Sequence, residues 1–177
     1  EFKTDHPSVL GTFGMLPETS LLDKKIMKNT FNLVWDTWSW DKTWGWDFPM
    51  TAMSAARLGL PEKALDALFM NVQTNTYLKN GHNFQDERLR LYLPGNGGLL
   101  TAVAMMCAGW DGNNEANPGF PKDGTWKVQS EGFKKMLEFL GETPLPKYIK
   151  RKPDEEDKDR NCTNTIDNSN GIINYPL

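Results

Sequence analysis

The sequence predicts a mainly α protein, part of a double ring of helical hairpins, followed by a short β segment and an irregular C-terminal tail. Three observations predict it. Apolar residues recur at helical spacing through residues 1–110. Amphipathic, charged helices alternate there with helices that are apolar and rich in small residues. The segments that enter the apolar helices are long and polar. Charged helices belong on the outside of such a ring and apolar ones on the inside. The loops at 1–7, 35–47 and 73–96, which hold much of the Trp, His, Asp, Glu and Asn, should then open on one rim.

The elements follow in order. Residues 8–15, after Asp5-His6-Pro7, are a short apolar helix, and residues 20–34 are a second helix with Leu22, Ile26, Leu33 and Val34 on its apolar side. A Trp-rich loop covers 35–47. A third helix covers 48–58, with Asp47 as N-cap, Pro49 in the first turn and Gly59 as the stop. Pro61 opens an amphipathic helix over 61–72, carrying Ala64, Leu65, Leu68, Phe69 and Val72. After the polar loop 73–96, the helix at 98–108 is apolar on every side and is expected to be buried on every side. Residues 111–141 form a post-helical segment in which Lys122-Asp123-Gly124-Thr125 is a turn leading into a short strand at 126–129. Residues 142–177, with Pro144, Pro146 and a mixed charge run at 150–157, read as a disordered or loosely attached tail.

Composition narrows the function. The chain has 177 residues, enough for one domain with a sizeable core, and a net charge of −3 that supplies no basic field for nucleic acid or an anionic membrane. No apolar run is long enough to span a membrane. Cys107 and Cys162 form no disulfide framework, and two histidines without paired Cys/His spacing give no zinc site, so neither metal nor cofactor is expected. Asn161-Cys162-Thr163 matches the glycosylation sequon. The opening Glu1-Phe2-Lys3 reads as a processed or excised piece. The compartment is not legible in the chain, and the expectation for its parent is secretion or the periplasm.

Tryptophan is the anomaly: five of the seven lie between Trp35 and Trp46. Trp35 continues a helical pattern and belongs to the core. Trp44 and Trp46 flank a glycine and precede Asp47 at the mouth of an inner helix. Flat aromatic faces beside a carboxylate suit a sugar ring, whose C–H face is apolar and whose rim is polar. Asp47 is then both N-cap and hydroxyl acceptor. The loop Gly81–Arg88 supplies His82 and Gln85 as substrate-binding candidates and Asp86 and Glu87 as candidate catalytic bases, against the alternative of a solvated charge cluster. Asn96, ahead of the second apolar helix, is an N-cap or a residue that positions substrate or water. Glycosidases place two carboxyl groups about 5–5.5 Å or 6.5–9.5 Å apart.

The stretch Trp44-Gly45-Trp46-Asp47-Phe48-Pro49 through Ala55-Ala56-Arg57-Leu58-Gly59, with Glu62-Lys63-Ala64-Leu65 after it, resembles the late helical hairpins of glycoside hydrolase family 95. His82-Asn83-Phe84-Gln85 with Pro94-Gly95-Asn96-Gly97-Gly98, and Pro121–Val128, are similar to that family's later motifs; family 65 shares the toroid and a Trp-Asp at the equivalent loop. The likeness covers roughly residues 40–135. It implies a partial (α/α)6 toroid and cleavage of α-linked fucosides or galactosides. The implied partners are an oligosaccharide or polysaccharide substrate and the rest of a parent catalytic domain, with no nucleic acid. Pro94 stands where the family has its catalytic-base aspartate, and the family's general-acid glutamate lies upstream of this segment. Two alternatives accompany this reading: a non-catalytic glycan-binding module and a structural helical-repeat protein.

Overall fold

A computed structural model of the protein describes residues 3–136. The described chain is mainly helical. A 3-10 turn at Ser8–Leu10 runs into the short helix α1 (Gly11–Gly14), followed by α2 (Lys24–Thr37), α3 (Asp47–Arg57), α4 (Pro61–Leu68) and α5 (Leu93–Ala108). Between α4 and α5 lie a 3-10 turn (Gln73–Asn75) and a two-stranded antiparallel hairpin, β1 (Thr76–Tyr77) with β2 (Asn83–Phe84). The toroid expectation reaches the described residues as a helical hairpin, α3 and α4, with α5 alongside.

The organising element is α3. All of its residues from Asp47 to Arg57 are buried, and α1, α4 and α5 pack around it. Its run of Met, Ala, Ser and Thr keeps the helix slim, so three neighbours can approach closely. Gly59 ends it at φ +73°, a left-handed conformation that a side chain would disfavour. The chain reverses there and Pro61 starts α4.

The buried charge of the fold is on α3 as well. Arg57 is enclosed over the Phe13 ring, donating to Leu16 O at 2.7 Å and to Asp111 Oδ1 at 3.0 Å. Burial pulls its pKa down, and Asp111 and Glu18 oppose that pull. Removing the partner would strand a buried cation. Asp111→Ala is therefore expected to cost about 3 kcal/mol in urea unfolding; a loss under about 0.5 kcal/mol would mean that Leu16 O alone satisfies the guanidinium.

Several expectations from the sequence need correcting. The second helix starts at Lys24, because the Asp23 side chain accepts from the backbone N–H groups of Lys25 and Ile26, and it continues through Trp35 to Thr37. Its buried stripe is Met27, Phe31 and Val34, while Ile26 and Leu33 are exposed. Helix α4 stops at Leu68, since the Asn75 amide donates to the carbonyls of Leu68 and Met70 and turns the chain away. The polar loop 73–96 contains the β1–β2 hairpin, and α5 begins at Leu93, five residues ahead of the predicted start, with Pro94 in its first turn.

Helix α5 is not enclosed on all sides: Ala102, Met105 and Met106 are buried, but Leu93 and Leu100 are 67% and 73% exposed. The described neighbours cover one flank of it. The strand predicted at 126–129 does not form; Trp126 rests against Phe69 and Phe120, and the bridge in this region joins Trp110 to Met136. The predicted tail, with Cys162 and the sequon, lies outside the described residues. Among the described residues, no helix is long and apolar enough to cross a membrane, and no group of side chains is arranged to hold a metal ion.

Candidate functional site

The three polar segments do converge. Residues 3–7, the Trp loop and the hairpin meet at the N-terminal end of α3. Asp47 sits in the first turn of α3, fully buried, with its side chain folded back on the preceding loop. Its Oδ2 accepts from Trp44 N at 2.7 Å, and both carboxylate oxygens accept from His6 Nδ1, at 3.1 and 3.0 Å. It does not act as the predicted N-cap; Trp46 occupies that position. Burial raises the Asp47 pKa above its ordinary 3.8, opposed by the Trp44 amide and by His6.

A carboxylate can only accept, so Nδ1 of His6 carries the proton and Nε2 is turned outward. The imidazole is half-buried between aromatic rings, with Trp46 at 5.1 Å and Trp44 at 5.9 Å, centroid to centroid. Tyr92 packs on the other side of Trp44 at 5.6 Å, and burial, with a smaller contribution from the Asp47 charge, raises its pKa. Trp44 remains 39% exposed, which leaves an open aromatic surface beside the histidine. This corner can stack a flat ring and offer a histidine of defined tautomer to a polar group.

Beneath it, a buried amide network locks the loops together. The Gln85 side chain accepts from Gly45 N at 3.0 Å and donates to Asn83 Oδ1 at 2.9 Å and Thr74 O at 3.1 Å. Asn83 donates to Thr74 O and Thr76 O. Gly45 and Gly95 clamp it so closely that a Cβ on either would fall 1.9 or 2.2 Å from Asn83 Oδ1. Glycine at these two positions is a steric requirement.

The remaining predicted site residues are spread around this corner. Asn96 ties the hairpin to α5, accepting from Asn83 N at 2.9 Å and donating to Gly81 O at 2.7 Å. His82 lies in the exposed hairpin turn next to Asn80. Asp86 accepts from the backbone N–H groups of Arg88 and Leu89, which hold its pKa below the ordinary carboxylate value. It lines, with Trp44, Thr74 and Leu89, a cleft of about 300 Å³. Glu87 is exposed and paired with Arg90. Thus Trp44, Trp46 and Asp47 come together, Gln85 supports them from below, Asp86 borders the adjoining cleft, and His82 and Glu87 stand apart at the surface.

Sequence reasoning overlooked His6, Tyr92 and Asn83 as site residues. The placement of residues 1–7 on the rim was the one available signal for His6, and nothing in sequence spacing pairs it with Asp47, 41 positions later.

A 43-residue stretch of the chain is 51% identical to the S-adenosylmethionine:tRNA ribosyltransferase-isomerase of Cytophaga hutchinsonii; the match covers 24% of this chain and 12% of that protein. No family model matches the chain, and no solved structure matches it. These findings overturn the assignment to glycoside hydrolase families 95 and 65. With it go the glycosidase activity, the carbohydrate substrate and the exclusion of a nucleic-acid partner. The physical cause of the error is visible in the site: an aromatic surface beside polar groups is equally suited to a nucleobase and ribose. The overall charge of −3 describes the whole chain and says nothing of any single surface.

Proposed function

We propose that the chain belongs to a tRNA-modifying ribosyltransferase system and binds its nucleoside substrate, S-adenosylmethionine, at the His6–Trp44–Trp46 corner. The observation that carries this reading is an imidazole whose tautomer is set by a buried carboxylate and which lies against an exposed tryptophan. The match to the ribosyltransferase-isomerase supports the ligand class. Adenosylmethionine combines a flat base, a ribose and a cationic sulfonium. Trp44 provides a stacking face for the base, and the acidic surroundings of Asp5 and Asp47, with the aromatic rings, favour the cation. A polyanionic backbone alone would gain little from this corner, so tRNA enters as the co-substrate of the whole system.

The helices support a ring of hairpins as the scaffold, with the exposed flank of α5 as the place for the next hairpin to pack. The test is tryptophan fluorescence of the full chain titrated with S-adenosylmethionine. Saturable quenching is expected, with affinity about tenfold lower in Trp44→Ala, the scale of a lost base–aromatic stack. Absence of quenching, or equal quenching in the variant, sinks the proposal.

A further inference from the structure

The outward face of His6 is not empty of protein. Its Nε2 lies 3.5 Å from Asp5 Oδ1, and Asp5 is held in the left-handed region, at φ +63°. That conformation is uncommon for a residue with a side chain, though aspartate tolerates it better than most. It is held from both sides: Trp38 Nε1 donates to the Asp5 carbonyl at 2.9 Å, and Ser39 N donates to the Lys3 carbonyl at 2.8 Å. The Trp loop therefore fixes the backbone that presents the Asp5 carboxylate beside the imidazole. Locally unfavourable backbone that is locked by its surroundings often marks a functional position.

The chemistry of the two groups is alike. In the tautomer that donates Nδ1–H to Asp47, Nε2 is left as an acceptor, and the Asp5 carboxylate offers acceptors only. Two outward acceptors 3.5 Å apart, with no donor of the protein between them among the contacts described, match a ligand that brings two adjacent donors. A vicinal cis-diol is such a ligand, since each hydroxyl carries one donor and the pair sits on neighbouring carbons. We propose that Asp5 and His6 form a two-acceptor clamp for the cis-diol of a ribose, one hydroxyl donating to Nε2 and its neighbour to the Asp5 carboxylate. The clamp rests on the nucleoside reading above and deepens it: the ligand must be a nucleoside whose 2′ and 3′ hydroxyls are both free, while Trp44 takes the base. An internal nucleotide of an RNA strand, with its 3′ oxygen esterified, does not satisfy it. The Asp47 carboxylate acts as a positioning group, because it reaches the ligand only through His6.

The experiment is calorimetric titration of the full chain at pH 8 with S-adenosylmethionine, adenosine, 2′-deoxyadenosine and 3′-deoxyadenosine. Adenosine is expected to bind about tenfold or more tightly than either deoxy analogue, as expected for a lost hydrogen bond to a charged or buried acceptor. Asp5→Asn, which keeps a side chain tolerant of the left-handed backbone, should weaken adenosine about fivefold or more and leave one deoxy analogue unaffected. His6→Gln should do the same for the other analogue, with circular dichroism of both variants matching the wild type. Equal binding of the three nucleosides overturns the clamp and leaves nucleoside binding standing. Binding of S-adenosylmethionine without adenosine also overturns it, because the ribose would then contribute nothing. Failure of all four to bind overturns both the clamp and the function it rests on.

Discussion

Gly45→Ala is expected to unfold the rim and remove about 3–5 kcal/mol of stability. Its new Cβ would fall 1.9 Å from Asn83 Oδ1 and 2.6 Å from Gln85 Nε2, and neither side chain has room to retreat, since both are buried. Overpacking alone costs about 1–3 kcal/mol. Displacing Asn83 or Gln85 adds about 1–3 kcal/mol for a buried polar group left unpaired. Gly45 N itself donates to Gln85 Oε1, so the backbone of the Trp loop would shift along with the network. The loss is a large share of the roughly 5–15 kcal/mol that a domain has in total. Thermal unfolding should show it as a drop of about 6–20 °C for a chain of this size. Ligand-induced quenching should disappear with it, because Trp44 is the adjacent residue. A change under about 1 kcal/mol would show that the network is looser than its distances imply.

Asp47 offers the second large effect and a pH signature. Asp47→Ala removes the acceptor for Trp44 N and for His6 Nδ1 in a place closed to water. The expected cost is about 2–4 kcal/mol, from two hydrogen bonds to a charged group and the unpaired donors they leave behind. Asp47→Asn keeps an acceptor for Trp44 N and should cost about 1 kcal/mol or less at neutral pH, since it also removes the burden of a buried charge.

The sign with pH follows from the raised pKa. Burial favours the neutral acid in the folded state, so the contribution of this group to stability is complete below about pH 3.8 and is lost as pH rises through the higher folded value. Wild type should therefore compare better with Asp47→Asn at pH 3.5 than at pH 7. Urea unfolding of both proteins at the two pH values tests it. An advantage of wild type that grows from pH 3.5 to 7 would mean that the hydrogen bonds from Trp44 and His6 outweigh the cost of burial.

The pattern of success follows how local each signal is. Turn and helix punctuation was legible: Gly59, Pro61 and the run of small residues in α3 place a hairpin where one is found. Which face of a helix is covered was less so. Ile26 and Leu33 fit an apolar stripe as well as Met27 and Phe31 do, and only the neighbours α2 meets decide between them. The strand read at 126–129 rested on the turn ahead of it, and no partner strand meets it among the described residues; Trp126 leans instead on Phe69 and Phe120, a contact between distant residues.

At the site, the Trp loop announced itself by composition, but the chemistry drawn from it was misdirected. Aromatic and acidic residue types describe a class of surface, and several ligands share that class.

By itself, the sequence determined that this protein is mainly helical and that residues 48–58 form an apolar helix rich in small residues, and it singled out the polar segments at 1–7, 35–47 and 73–96 by composition. Those properties depend on residues within a few positions of one another, where spacing along the chain is spacing in space. Only the tertiary structure decided that Asp47 turns inward to hold His6, that Asp5 stands on the far side of that ring, and that Asn83 and Gln85 are sealed beneath Gly45. Each of these joins segments up to 41 residues apart or depends on the space such a junction leaves, and burial, not residue type, sets which atom of each group stays accessible.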